Sequence, residues 1–174
     1  HSIVDPVPSL FSFDLQGSWL TECSGIALDN IYLTLNVNNR QFKEFGRVLL
    51  THWGISGPAV LRLTAFAARD LNKASYRSRL RVNWLGNIDK PTIKKTLNDF
   101  RYQAASKTLL QQRPFRLLPK RVWRGLLTQV GATDSIRWAD ISLGLENKLF
   151  DALTSSQYEI SGRGPFGEEF VTAG

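Results

Sequence analysis

Residues 31–37 alternate strictly, with Ile31, Leu33, Leu35 and Val37 set against Tyr32, Thr34 and Asn36. A period of two is the side-chain period of a strand that buries one face, so the segment predicts a half-buried strand. Asn38-Asn39 follows. Asparagine tolerates positive φ, so the pair predicts a hairpin turn, with a return strand from Phe42 to Leu50. Alternation returns between Tyr76 and Trp84: Tyr76, Ser78, Leu80, Val82 and Trp84 share one face, and Arg77, Arg79, Arg81 and Asn83 the other. That pattern predicts a strand with a basic outer stripe. Between these two regions Ala59 to Ala68 is apolar and alanine-rich, and Pro58 before it suits the first turn of a helix. Ser56 is the expected cap of that helix.

After Gly86-Asn87 the period lengthens. Ile93, Leu97, Phe100 and Ala104 recur at helical spacing behind Asp89, an expected N-cap, and Pro91. A short helix is expected from Ser106 to Gln112. Another opens at Pro119, with Val122, Trp123, Leu126, Leu127 and Val130 as its apolar stripe and Gly131 as its stop. Ile141, Leu145, Leu149 and Leu153 repeat every four residues, and Trp123 and Trp138 are core candidates. The opening Pro6-Val7-Pro8 stretch reads as extended, because proline fixes φ and removes a donor. The tail, Tyr158–Gly162 and then Phe166 to Thr172, reads as one or two strands. The predicted class is α+β: a β-rich body formed by residues 1–88 and 157–174, with a small helical subdomain, 89–156, inserted into it.

Composition narrows the picture modestly. At 174 residues, with 43% hydrophobic and 21% charged residues, the chain can bury a core, and no apolar run reaches the length of a membrane span. No membrane partner is expected. The N-terminal residues lack a secretory pattern, and the one cysteine, Cys23, excludes an internal disulfide framework, so a cytoplasmic setting is expected. The absence of methionine leads to the expectation of a processed or deliberately cut piece. The net charge of +7 raises a second reading, a basic nucleic-acid-binding β-barrel module, although a missing remainder could balance the charge.

Candidate chemistry concentrates in one place. There is no G-x-x-x-x-G-K-[ST] phosphate loop, no H-E-x-x-H and no cysteine pair, and neither a G-x-G-x-x-G after a strand nor a metal site is expected. The compact turn Thr51-His52-Trp53-Gly54-Ile55-Ser56-Gly57-Pro58 remains. Its glycines let backbone approach a ligand, the amides of a following helix attract negative charge, and His52 is a candidate proton donor or acceptor. The alternative is that the glycines merely make a tight strand-to-helix turn. The stripe of Arg77, Arg79 and Arg81, with Arg101, Lys107, Lys120, Arg121 and Arg124, suits phosphate contacts or simple solubility.

T-H-W-G-I-S-G-P-A-V-L at Thr51–Leu61 resembles the T-H-x-G-[IL]-S-G-P-A-x-L signature of the BaiN-like, YhiN-like flavoproteins. The lead-in His1 to Leu10, Leu118-Pro119-Lys120-Arg121-Val122-Trp123 and Phe170-Val171-Thr172-Ala173-Gly174 resemble further segments of that family in the same order, so similarity spans the chain. The chain departs from the pattern at Ser9 and around Gln16 to Ser24. The resemblance implies an insert domain that combines a translation-protein-like β-barrel with a small helical subdomain. It also implies FAD held by N- and C-terminal segments of the same parent chain, NAD(P)H as a candidate reductant, and a small-molecule substrate. By the same resemblance Thr51, His52, Gly54, Ser56 and Gly57 are candidates to face the flavin or substrate. Thr172, Ala173 and Gly174 become candidates for the junction approaching FAD. The fragment alone is expected to bind no flavin and to be inactive.

Overall fold

The computed structural model describes residues 3–165 and 171–173. Contacts divide the chain into two compact units, one formed by residues 1–82 with 157–174 and the other by residues 83–156.

In the first unit, the long hairpin of β3 (Ala27–Val37) and β4 (Arg40–Leu50) sits at the centre of a seven-stranded sheet. Ile31, Leu33, Leu35 and Val37 point into the core, as the alternation predicts. Asn38 and Asn39 both take positive φ, 49° and 60°, which is the conformation a two-residue turn requires between paired Val37 and Arg40. The strand order is β7-β6-β3-β4-β5-β2-β8, where β2 is Phe13–Asp14, β5 Gly54–Ser56, β6 Ser78–Asn83, β7 Ser156–Ile160 and β8 Gly162–Arg163. Leu80 and Val82 of β6 are buried and Arg79 and Arg81 exposed, again as the alternation requires. Tyr76 is a correction: at a φ of 61° it belongs to the turn before β6 rather than to the strand.

Helix α1 (Pro58–Lys73) buries Ala59, Val60, Leu63, Ala67 and Leu71 against β1 (Val7–Ser9), β3, β4, β5 and β9 (Val171–Ala173). Each fully buried Leu or Val contributes roughly 1.5–3 kcal/mol relative to an exposed one. The expected cap is corrected here: Ser56 lies in β5, Gly57 occupies the N-cap position, and no side chain caps the helix. Pro58 fills the first turn, where its missing amide hydrogen costs nothing.

The second unit packs α2 (Lys90–Gln103), α3 (Lys120–Gln129) and α4 (Leu143–Ser155) around indoles. Trp123 and Trp138 are fully buried and stacked at 6.5 Å between ring centroids. A buried indole N–H needs an acceptor. Trp123 Nε1 donates to the Leu109 carbonyl at 2.7 Å and Trp138 Nε1 to that of Gln112 at 2.8 Å. This explains why the helix expected from Ser106 to Gln112 does not form. Those carbonyls are committed to indoles, Leu109 N donates to Ile136 O, Trp138 N donates to Lys107 O, and Thr108 pairs with Arg137 in an isolated bridge. Ile141 precedes α4 instead of belonging to it, and Leu145 is only half-buried.

Asp89 does cap α2. Its carboxylate accepts from Thr92 N at 2.9 Å and from the Thr92 hydroxyl at 2.8 Å, and the backbone bond foremost holds its pKa below the ordinary carboxylate value. A lowered folded pKa means that the cap's contribution is complete above the ordinary value and is lost as pH falls through the folded one. Asp89→Ala is therefore expected to lower the unfolding midpoint at neutral pH, with a difference from the parent that shrinks on acidification. Asp89→Asn should keep the neutral-pH midpoint while removing that pH dependence. Thermal unfolding followed across an acid series checks both.

Candidate functional site

The turn singled out in the sequence joins β4 to β5 and then enters α1. Thr51 and Gly54 bond reciprocally across it: Thr51 N donates to the Gly54 carbonyl at 2.9 Å, and Gly54 N donates to the Thr51 hydroxyl at 3.1 Å. Thr51 is consequently buried, and the loop tip is reduced to His52 and Trp53. Trp53 is tied inward. Its carbonyl accepts from Leu15 N at 2.8 Å and its indole donates to Ser12 Oγ at 3.0 Å. His52 is the residue of the pair left exposed.

The two glycines serve backbone packing. A Cβ on Gly54 would sit on the Phe13 carbonyl and 2.7 Å from Leu15 N, because β2 pairs directly against β5 through Phe13↔Ile55 and Asp14↔Gly54. Gly57 has a φ of 98°, and a Cβ there would lie 2.8 Å from Leu49 N and 2.9 Å from Val48 Cα. Ser56 is half-buried opposite Leu49. Thr51, His52, Gly54, Ser56 and Gly57 thus form one continuous run from hairpin to helix.

Thr172 and Ala173 lie elsewhere in the chain, in β9, where they pair with Pro8 and Val7 of β1. The two groups are linked by α1, which starts directly after the turn and packs against both β1 and β9. Phe11 N donating to the buried Thr64 hydroxyl at 3.1 Å fixes the chain just beyond β1 to the same helix. Gly174, Phe166 and the expected strand residues 168–170 fall outside the described residues.

Sequence reasoning passed over two features here. Ser12 and Trp53 hold the loop tip, and an aromatic residue inside a glycine turn was the available signal. Gly162, Gly164 and Gly167 also stand at G-x-G-x-x-G spacing. Gly162 is in β8, a Cβ on Gly164 would meet Ser12 Oγ and come within 2.6 Å of Trp53 Nε1, and the next described element is the strand β9. Gly164 is accounted for by its seat against Ser12 and Trp53.

Of the arginine stripe, Arg79 is paired with Glu159 at 2.8 Å. Arg77 and Arg79 line a polar cleft of about 680 Å³ with Asn38, Asn39, Arg40 and Glu159. Its charges are largely matched within the fold, since Arg40 also pairs with Asp70 at 2.7 Å.

Gly54→Ala is expected to destabilise the protein by about 2–3 kcal/mol, the usual scale of forced overpacking, because backbone rather than a flexible side chain fills the space. Gly144, near the start of α4, has nothing within 4 Å of an added Cβ. Gly144→Ala should stabilise by up to about 1 kcal/mol. Urea unfolding of the two variants beside the parent measures both shifts.

Comparison with known proteins agrees with this architecture. The family model described as the HI0933-like protein barrel and H2TH domain matches residues 7–171, nearly the whole chain. No curated protein matches the chain. No helix among the described residues is long and apolar enough to cross a membrane. The match does not favour a free-standing nucleic-acid-binding barrel, and the charge agrees. Residues 83–156 hold twelve basic and six acidic residues, so +6 of the net +7 lies outside the β-rich unit. An antiparallel sheet with a helical unit inserted between β6 and β7, matched over nearly its full length, belongs to the HI0933-like barrel and H2TH domain family, a flavoprotein group.

Proposed function

We propose that this chain is an accessory capping domain of an FAD-dependent oxidoreductase, shielding the flavin and shaping the pocket for a small-molecule substrate. The observation that carries the reading is the pairing of β1 with β9, Val7↔Ala173 through Ser9↔Val171. It brings the two ends of the domain side by side, as insertion at one point of a host fold requires. The FAD-binding segments are then the parts of the parent chain before β1 and after β9. NAD(P)H is the proposed reductant, and the cytoplasm the proposed setting, which suits the lone buried thiol of Cys23.

The residues present do not fit FAD by themselves. Gly54 and Gly57 are closed off by the chain's own backbone, and the Thr51 hydroxyl is spent on Gly54, so the turn is no phosphate cradle. Its contribution is positional. Exclusion of water strengthens every polar interaction inside a redox site, and a rigid lid supplies that exclusion. We place the Thr51–Gly57 turn toward the flavin or substrate, with His52 as the group able to give or take a proton near neutral pH and Thr172 to Gly174 at the junction with the FAD-binding part.

Two measurements test this. FAD titrated into the isolated chain should show no fluorescence change, and stoichiometric binding overturns the reading. In the parent, replacing residues 7–173 by a short glycine-serine linker should leave FAD bound while making its fluorescence more accessible to iodide quenching. A parent that holds no flavin, or flavin equally shielded after excision, refutes the capping role.

A further inference from the structure

The basic residues of the helical unit are unevenly placed. From Phe100 to Thr133 there is no Asp or Glu, while Arg101, Lys107, Arg113, Arg116, Lys120, Arg121 and Arg124 all fall in that stretch. Arg101 is neutralised by Glu146 at 2.6 Å. Lys107, Arg116, Lys120 and Arg124 are exposed and form no ion pair among the described residues. Lys120 and Arg121 occupy the first turn of α3, which holds no acidic residue and whose N-cap, Pro119, offers no capping side chain. A helix start already carries partial positive charge, so stability alone would place carboxylates there. Stacking cations at that end strengthens one local positive field, which is useful when a negative partner completes it.

We propose that the exposed residues Arg116 and Leu117, just before α3, and Lys120 and Arg124, one turn apart on it, dock on an acidic protein surface. Charge complementarity sets the sign of the partner, and the apolar content sets its class. Leu117 is 53% exposed between Arg116 and Lys120, giving the patch an aliphatic centre with an arginine-rich rim, the composition of a protein interface. Between Arg113 and Arg124 the aromatic residues Phe115 and Trp123 are both buried, so this segment offers no row of rings on which bases could stack; the exposed ring of Tyr102 lies outside it, in α2. A single exposed leucine is also a poor anchor for a lipid surface, where an amphipathic face inserts several apolar side chains.

The test uses fluorescence anisotropy of the chain with four probes: a peptide alternating Glu and Leu, poly-L-glutamate, duplex DNA, and phosphatidylcholine vesicles containing phosphatidylserine. The Glu-Leu peptide should bind most tightly and weaken as salt rises, because exposed charges are screened over about 10 Å at 0.1 M ionic strength. Leu117→Ala should weaken the Glu-Leu peptide and leave poly-L-glutamate unchanged. The combination Arg116→Glu, Lys120→Glu and Arg124→Glu should cost at least about tenfold in affinity, roughly the loss of a few charge-pair contacts. Lys43→Glu, Arg69→Glu and Arg81→Glu make the same change in net charge at exposed positions of the β-rich unit that form no ion pair among the described residues, and should cost far less. Equal losses in the two triple variants, or DNA or vesicles bound more tightly than the Glu-Leu peptide, overturn the proposal. Far-ultraviolet circular dichroism checks folding, and Leu117→Ala alone keeps the test decisive if a triple variant fails to fold.

Discussion

The β-rich unit depends on one close approach of backbone to backbone, that of β5 under β2 at Gly54. Strand β2 is only Phe13 and Asp14, yet it pairs with β5 on one side and with β8 on the other. Without it the sheet would end at β5. A two-residue strand cannot push a side chain aside, so its partner must present no Cβ where the Phe13 carbonyl and Leu15 amide come down. Glycine meets that condition, and Phe13 and Leu15, both buried, then seal the contact. Gly57 repeats the logic one step later, where α1 starts against the backbone of Val48 and Leu49. Its φ of 98° turns the chain from sheet to helix within one residue.

That constraint shapes the candidate site. Because Gly54 is pinned, Thr51 can close the hairpin by bonding to it in both directions, and the loop is left with two residues of opposite fate. Trp53 is drawn onto Ser12 and Gly164, while His52 is held outward on a support made of main-chain bonds. These main-chain bonds fix where the backbone of His52 stands at the loop tip. The glycines of the turn therefore act indirectly, by fixing where a neighbouring side chain stands.

Elements were legible in the sequence wherever a local rule and the tertiary environment agreed. Alternation at 31–37, positive φ at Asn38-Asn39 and the Asp89 cap each state their own structure. The failures share a cause. Ser56 has the chemistry of a cap, but strand pairing with Leu49 claimed it and left Gly57 at the helix start. Ser106 to Gln112 has helical composition, but buried indoles 14 and 26 residues from the carbonyls they bond needed those carbonyls, and satisfying them outweighs the small propensity of a short helix. β2 has no periodicity to detect in two residues. In the candidate turn the run of residues was visible, but the division of labour between His52 and Trp53 was not, since it depends on Ser12 and Gly164, which are remote in sequence.

Charge follows a different logic from packing. The β-rich unit carries ten cations and nine acids, and four of those cations pair as Arg40–Asp70, Arg47–Asp29, Arg62–Glu44 and Arg79–Glu159. Such pairs at the surface contribute little stability, but they reduce the field that the unit projects. The helical unit leaves its field standing over a long acid-free stretch, at the end of α3 where the backbone itself adds to it. Nothing in the packing of α3 demands this, because its buried stripe of Val122, Trp123, Leu126 and Leu127 is complete without Lys120 or Arg124. Both units hold ion pairs, and what distinguishes them is the balance, near neutral in the β-rich unit and +6 in the helical one. The β-rich unit pairs β1 with β9 and mounts the turn, and the helical unit carries nearly all of the chain's excess positive charge.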